Sequence, residues 1–198
     1  MLKIGITGGI GTGKSYVCRL FRLLGIPVYY ADIEAKEIAD DNPIVKEQIV
    51  ELLGPMSYDQ DGRYNRKFIS EKIFANDKLK IALNEIIHPA VARDFDDWCN
   101  QILRSQNPPY ILKEAALLYE SESYKHLDKI IVVDAPLNVR IERIAKRESW
   151  SLDQIMARVH SQIPNEQKVR LADFIIINDG IRLVIPQVMK IHQSLIAT

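Results

Sequence analysis

Gly8-Gly9-Ile10-Gly11-Thr12-Gly13-Lys14-Ser15 is a complete phosphate-binding loop of the form G-x-x-x-x-G-K-[ST]. Its surroundings are those the motif requires. Leu2 to Thr7 ahead of it is short and half apolar, as a buried strand would be. Val17, Cys18, Leu20, Phe21 and Leu24 behind it form an apolar stripe at helical spacing. The glycines let the backbone curl so that successive N–H groups point inward at phosphate oxygens. The helix opening at Gly13-Lys14 adds the positive end of its dipole. In such a loop Lys14 reaches the β- and γ-phosphates and the Ser15 hydroxyl ligates Mg²⁺. A Gly-rich turn without a ligand would not need both flanking elements, so the chain is expected to bind a nucleoside triphosphate.

With 198 residues, 47% hydrophobic and 26% charged, the chain is of ordinary globular composition and long enough for one domain with an insertion. Lys plus Arg (26) balances Asp plus Glu (26), so no global field favours nucleic acid or an anionic membrane. No apolar run approaches the ~18 residues of a membrane span. The first stretch, broken by glycines and then Lys14, does not read as a secretory signal, and a cytoplasmic location is expected. Cys18 and Cys99 both fall on apolar faces of expected helices and read as reduced, buried thiols; neither a zinc spacing nor a redox CxxC is present.

Helices and strands alternate, which argues for a parallel sheet wrapped by helices. Five strands are expected: 2–7, 26–30, 110–112, 129–133 and 174–177. The last two are continuous apolar runs, as strands covered on both faces should be. Each strand ends where polar residues begin: Thr7, Asp32, Glu114, Asp134 and Asn178. In open α/β sheets ligands bind outside the carboxyl ends of the strands, so these residues should share one face. Residues 33–107 read as helices at 33–40, 43–53, 66–75 and 78–105, with Pro43 suited to a first turn and Gly54-Pro55 to a stop. This block is too long for a simple crossover. We read 1–198 as one domain, with 33–107 a helical insertion that receives the second substrate. Tyr58 to Asn65 reads as a solvated turn; its faint likeness to a calcium loop lacks the third acidic position and the closing Glu.

A second basic feature lies at 139–165. Arg140, Arg143 and Arg147 fall at i, i+3 and i+7 and so share a helix face. Alone this would be a solvated face balanced by Glu142 and Glu148. Beside a phosphate loop it reads as a lid, because cations that close over a phosphoryl transition state are a recurring solution.

Taken in order, the motifs resemble those of the dephospho-CoA kinase family. Ile4 to Ser15 is similar to the start of its members. Gly25-Ile26-Pro27-Val28-Tyr29-Tyr30-Ala31-Asp32 with Lys36 resembles its D-A-D-x-x-[AS]-[RK]. Leu83 to Val91, with His88-Pro89, resembles L-x-x-I-x-H-P-x-V, and Leu117-Leu118-Tyr119-Glu120 resembles P-L-L-F-E. Asp134, Pro136, Arg143, Arg147, Arg158 and Gln162 fit its V-D-x-P…R…R…R-[IV]-x-x-Q stretch. Ala172 to Gly180 fits A-D-[FY]-V-I-x-N-x-G. Tyr30, Ala116 and Arg140 depart from the common Asp, Pro and Gln. Glu114 stands where Asp or an apolar residue is common, and Ala92 where an Arg is often found, with Arg93 adjacent.

The resemblance implies the fold of nucleoside monophosphate kinases: a five-stranded parallel sheet, a helical substrate-binding insertion and a small basic lid. It implies transfer of the γ-phosphoryl of ATP, with Mg²⁺, to the ribose 3′-hydroxyl of dephospho-CoA, the last step of coenzyme A synthesis. Asp32 would orient the hydroxyl and accept its proton, although Asp is also a favoured helix cap. Lys14 and Arg143 would act on the transferred group. The loop residues Gly8, Gly9, Ile10, Gly11, Thr12, Gly13, Lys14 and Ser15, with Tyr16, Arg147, Asn178 and Gly180, would hold the nucleotide. Lys36, His88, Pro89, Leu117, Leu118 and Tyr119 would meet the acceptor, Leu117 to Tyr119 being equally good core residues. A monomer is expected. Two further readings remain open. Another kinase of this fold would differ in the helical insertion. A nucleotide-dependent switch should carry an N-K-x-D-type base-reading motif, and none is found.

Overall fold

The computed structural model describes residues 1–74 and 76–197. Five parallel strands, β1 (Leu2–Thr7), β2 (Val28–Tyr30), β3 (Tyr110–Glu114), β4 (Lys129–Asp134) and β5 (Phe174–Ile177), form one sheet in the order β2-β3-β1-β4-β5. The registers pair Ile4 with Leu112 and with Lys129, Tyr30 with Glu114, and Asp134 with Ile177. β1 is therefore central. The chain visits β2 and β3 on one side of it and β4 and β5 on the other. The loop after β1 lies at the point where the winding reverses, which is where such sheets leave a crevice.

Helix α1 (Lys14–Leu23) buries Val17, Cys18 and Phe21, and helix α9 (Val184–Ile196) buries Val188, Ile191 and Leu195, in one core with Ile4, Ile6, Leu112 and Ile131. Each such side chain withdrawn from water stabilises the fold by about 1.5–3 kcal/mol. Gly5 is closely packed: a Cβ there would lie 2.7–2.8 Å from Ile130, Leu118 and Leu127. Burial, with the Glu114 carboxylate nearby, pushes the Cys18 thiol far up, so it is a protonated apolar residue at neutral pH.

Two compact units are distinguished. One comprises Met1–Tyr30 with the chain from Ile102 onward; the other is Ala31–Gln101. The second unit is helical, as expected. It holds α2 (Ala31–Asp41), α3 (Pro43–Leu53), α4 (Arg66–Phe74) and most of α5 (Asp77–Ser105), around a core of Ala39, Val45, Ile49, Ile69 and Leu83. Residue 75, the expected end of α4, lies outside the described residues. The unit begins two residues earlier and ends six residues sooner than the expected 33–107, because α5 runs on into the sheet-bearing unit. Tyr58 and Tyr64 form one antiparallel bridge across the turn between them. In the first unit follow α6 (Leu137–Arg147), α7 (Leu152–His160) and α8 (Asn165–Arg170). Among the described residues no helix is long and apolar enough to cross a membrane.

The start of α3 is made locally. Pro43 occupies the first turn, and the Asn42 side chain accepts from the Ile44 and Val45 N–H groups at 3.1 and 3.2 Å. Asn42→Ala should lower the unfolding free energy by about 1 kcal/mol. A urea titration followed by circular dichroism checks this; an unchanged midpoint would mean the cap contributes nothing.

Candidate active site

The phosphate loop joins β1 to α1. Gly11 and Gly13 take φ of +81° and +92°, a conformation that L side chains rarely adopt. No side chain caps α1, and its first turn carries no acidic residue. The positive end of the helix is thus left unneutralised, which suits it to an anion. Ser15 and Tyr16 are exposed at this end.

The loop is held by side chains arriving from far along the chain. The Gly9 N–H donates to Asn165 Oδ1 and the Ile10 N–H to Gln162 Oε1, each at 2.8 Å. Arg140 Nε donates to the Ile10 carbonyl at 2.8 Å, and its guanidinium lies so close to Gly9 that a Cβ there would meet it at 2.5 Å. Asn178 Nδ2 donates to the Thr12 carbonyl at 2.7 Å, and Thr12 Oγ1 to the Gly9 carbonyl at 2.9 Å. Asn165 Nδ2 is in turn bonded to Asp134 Oδ1, and the Asn178 N–H to the Asp134 carbonyl.

Lys14 Nζ donates to the Gly8 carbonyl at 3.0 Å and faces Glu114 Oε1 at 3.9 Å, with both side chains only about a tenth exposed. Glu114 thus ends β3 as the acidic partner of the loop lysine. The Ser15 hydroxyl, next to Lys14 in the chain, and the Glu114 carboxylate that faces Lys14 are hard oxygen donors, a donor chemistry that fits Mg²⁺. Among the described residues no group of three or more His, Cys, Asp or Glu side chains comes together as a metal cage. A cation held largely by phosphate oxygens needs none.

The arginines of α6 and α7 do not present one basic surface. Arg140 is 6% exposed, and burial lowers its pKa against the raising effect of Asp134. Arg143 spends both terminal nitrogens on Asn178, at 2.9 Å to its carbonyl and 3.3 Å to its side chain. Arg147 is exposed and paired with Glu148, and Arg158 stacks over the Trp150 ring. Asp134 was expected at the strand ends; Asn165 was not anticipated, and its one signal is its place after Pro164 at the start of a short helix. Gly180 is exposed in the turn after β5, at φ +86°.

Asp32 lies in the first turn of α2, which begins at Ala31, so it is not the residue that caps the helix. As a first-turn carboxylate it still complements the dipole. Asp32, Lys36, His88 and Pro89 are all exposed. Pro89 sits inside a continuous α5, where it removes one N–H from the helix ladder. Leu117 is exposed, whereas Leu118 is fully buried against Gly5 and belongs to the core. Tyr119 is nearly buried, and its hydroxyl has no hydrogen-bond partner among the described residues; burial pushes its pKa up to about 12.

The family model for dephospho-CoA kinase matches residues 2–182. A dephospho-CoA kinase of Bacteroides fragilis is 37% identical over 190 residues, covering 96% of this chain and 91% of that one. Among solved structures, one from Thermus thermophilus superposes with a TM-score of 0.82 at 28% identity, covering 99% of this chain and 96% of the other. A dephospho-CoA kinase from Campylobacter jejuni gives 0.71 at 29% identity, covering 98% and 97%.

Gly13→Ala tests the loop. The added Cβ would meet Asn178 Nδ2, and the residue would be strained at its positive φ. Strain of this kind is worth about 1–3 kcal/mol, so binding of a fluorescent ATP analogue should weaken by about 5- to 150-fold. Helical circular dichroism should not change. Wild-type affinity in the folded variant would remove the loop from the nucleotide site.

Proposed function

We propose a division of labour among the residues of this chain, which belongs to the dephospho-CoA kinase family and phosphorylates dephospho-CoA with ATP in coenzyme A biosynthesis. The observation that carries it is the uncapped start of α1, with Lys14 beside it, at the crevice of the sheet. The backbone of Gly8 to Ser15 receives the β- and γ-phosphates. Lys14 exchanges its contacts with the Gly8 carbonyl and Glu114 for phosphate oxygens as the nucleotide enters. Ser15 Oγ would hold Mg²⁺, and the Glu114 carboxylate that faces Lys14 would help to hold the metal or its waters. When bound, the metal neutralises charge on the β- and γ-oxygens. Asn178, Gly180 and Tyr16 take the remainder of the nucleotide.

Asp32 orients the ribose 3′-hydroxyl of the acceptor and accepts its proton. A sugar hydroxyl is a poor nucleophile, and a phosphoryl transition state is loose, so alignment contributes at least as much as proton removal. Lys36, His88, Pro89, Leu117 and Tyr119 are the residues we assign to the acceptor. The enzyme is proposed to act as a cytoplasmic monomer, on a small molecule rather than a nucleic acid.

Asp32→Asn should leave ATP-analogue binding intact and lower kcat by about 10²–10⁴-fold, the range for a lost general base. Product mass spectrometry locates the added phosphate. Retained kcat with a lower melting temperature would make Asp32 a helix-stabilising residue alone.

The segment 139–165 is proposed to close over bound ATP, with Arg143 and Arg147 engaging phosphate oxygens. Closure excludes water and strengthens each charge–phosphate contact. Hydrogen exchange across α6 and α7 should slow when a non-hydrolysable ATP analogue is added, and Arg143→Ala should lower kcat more than it raises the ATP KM. Unchanged exchange with wild-type kinetics would leave Arg143 as a structural tie to Asn178.

A further inference from the structure

One ion pair of the sheet-bearing unit takes no part in this scheme. Lys168, on α8, is fully buried. Its Nζ contacts Glu120 Oε1 at 2.8 Å and donates to the Ala116 carbonyl at 3.1 Å. The same Glu120 oxygen accepts the Ile163 N–H at 2.9 Å. Glu120 Oε2 is buried and has no hydrogen-bond partner among the described residues.

Burying two charges is costly, and a well-packed apolar pair often stabilises a fold as well or better. What an apolar pair would not supply is the acceptor for Ile163 or the donor for Ala116. Ile163 sits between Gln162 and Asn165, whose amide oxygens hold the Ile10 and Gly9 N–H groups. The charge pair therefore fixes the bend from which the phosphate loop is held. It does so from the loop that follows β3, through Ala116 and Glu120.

We propose that Glu120 and Lys168 are positioning residues for ATP. They act through Gln162 and Asn165 to set the curl of the loop at Gly9 and Ile10, and touch neither substrate. Losing the pair lets the 162–165 bend shift, so the two amide oxygens leave the loop. The loop then pays for its ordering when ATP binds, and affinity falls by that amount. This inference rests on the loop being the ATP site, which the Gly13→Ala variant tests separately.

The test is a double-mutant cycle on the full chain, reading the Kd of a fluorescent ATP analogue, steady-state KM for both substrates, and melting temperature. Lys168→Met and Gln162→Ala should each raise the ATP Kd about tenfold, the size of coupling common between groups in one network. The KM for dephospho-CoA should stay within about twofold. The double variant should bind ATP about as weakly as the weaker single, because both changes release the same loop. Where Lys168→Met fails to fold, Glu120→Leu combined with Lys168→Met replaces it, since this removes the acceptor for Ile163 and the donor for Ala116 without leaving either charge buried alone. A lowered melting temperature with unchanged ATP Kd would make the pair structural only and overturn the proposal. So would effects that multiply in the double variant.

Discussion

A loop that offers some of its N–H groups to phosphate has to be held through the rest of its backbone. Left alone, a run of four glycines in eight residues would sample many conformations, and ordering it would be charged against ATP binding. Here the ordering is done in advance. Gly9 and Ile10, at the near end of the loop, give their N–H groups to Asn165 and Gln162, while Arg140 and Asn178 take the Ile10 and Thr12 carbonyls. The far end, at Gly13 and the first turn of α1, is left without a side-chain cap. Preorganised donors of this kind favour an anion because the loop backbone is already ordered when it arrives.

The winding of the sheet makes those distant tethers available. With β1 central, the carboxyl ends of β3, β4 and β5 bring Glu114, Asp134 and Asn178 to the crevice, and each strand end is followed by chain that turns back across it. Asp134 holds Asn165 and the Asn178 N–H at once, so the β4 end organises both tethers. Glu114 holds Lys14. The acidic strand ends thus act on the loop's supports and its lysine, and the positive character of the α1 terminus is left intact.

The elements were legible in the sequence because they are local. Continuous apolar runs gave β4 and β5 to within a residue, and Pro43 with Gly54 bracketed α3. The start of α2 was less so: Asp32 has the chemistry of a cap, but the helix begins one residue earlier, directly off β2. Leu118 shows the same difficulty. Its neighbours Leu117 and Tyr119 differ from it only in which way they face, and the close approach to Gly5 that buries it is a contact between strand and returning loop. The tethers were least legible. Nothing in the composition of Gln162-Ile163-Pro164-Asn165 says that its amides end on Gly9 and Ile10; that is set by how α8 packs, through a lysine whose burial no local pattern announces.

The arginines carry the argument one step further. Spacing put Arg140, Arg143 and Arg147 on one face, and spacing alone cannot say what that face meets. Packed against the loop, successive turns of α6 meet different things. Arg140 is enclosed with Ile10, Arg143 grips Asn178, and Arg147 reaches solvent with Glu148. Because Asn178 also holds the Thr12 carbonyl, Arg143 is already linked to the phosphate loop through one side chain. The two contacts to Asn178 use two of the five N–H groups of the Arg143 guanidinium, which leaves others to meet a phosphate oxygen. The strand end beside Gly180 and the phosphate loop are then coupled by the same residue. In the closure we propose, a guanidinium that keeps Asn178 while it meets a phosphate would tie the β5 end, the phosphate loop and the nucleotide through one side chain.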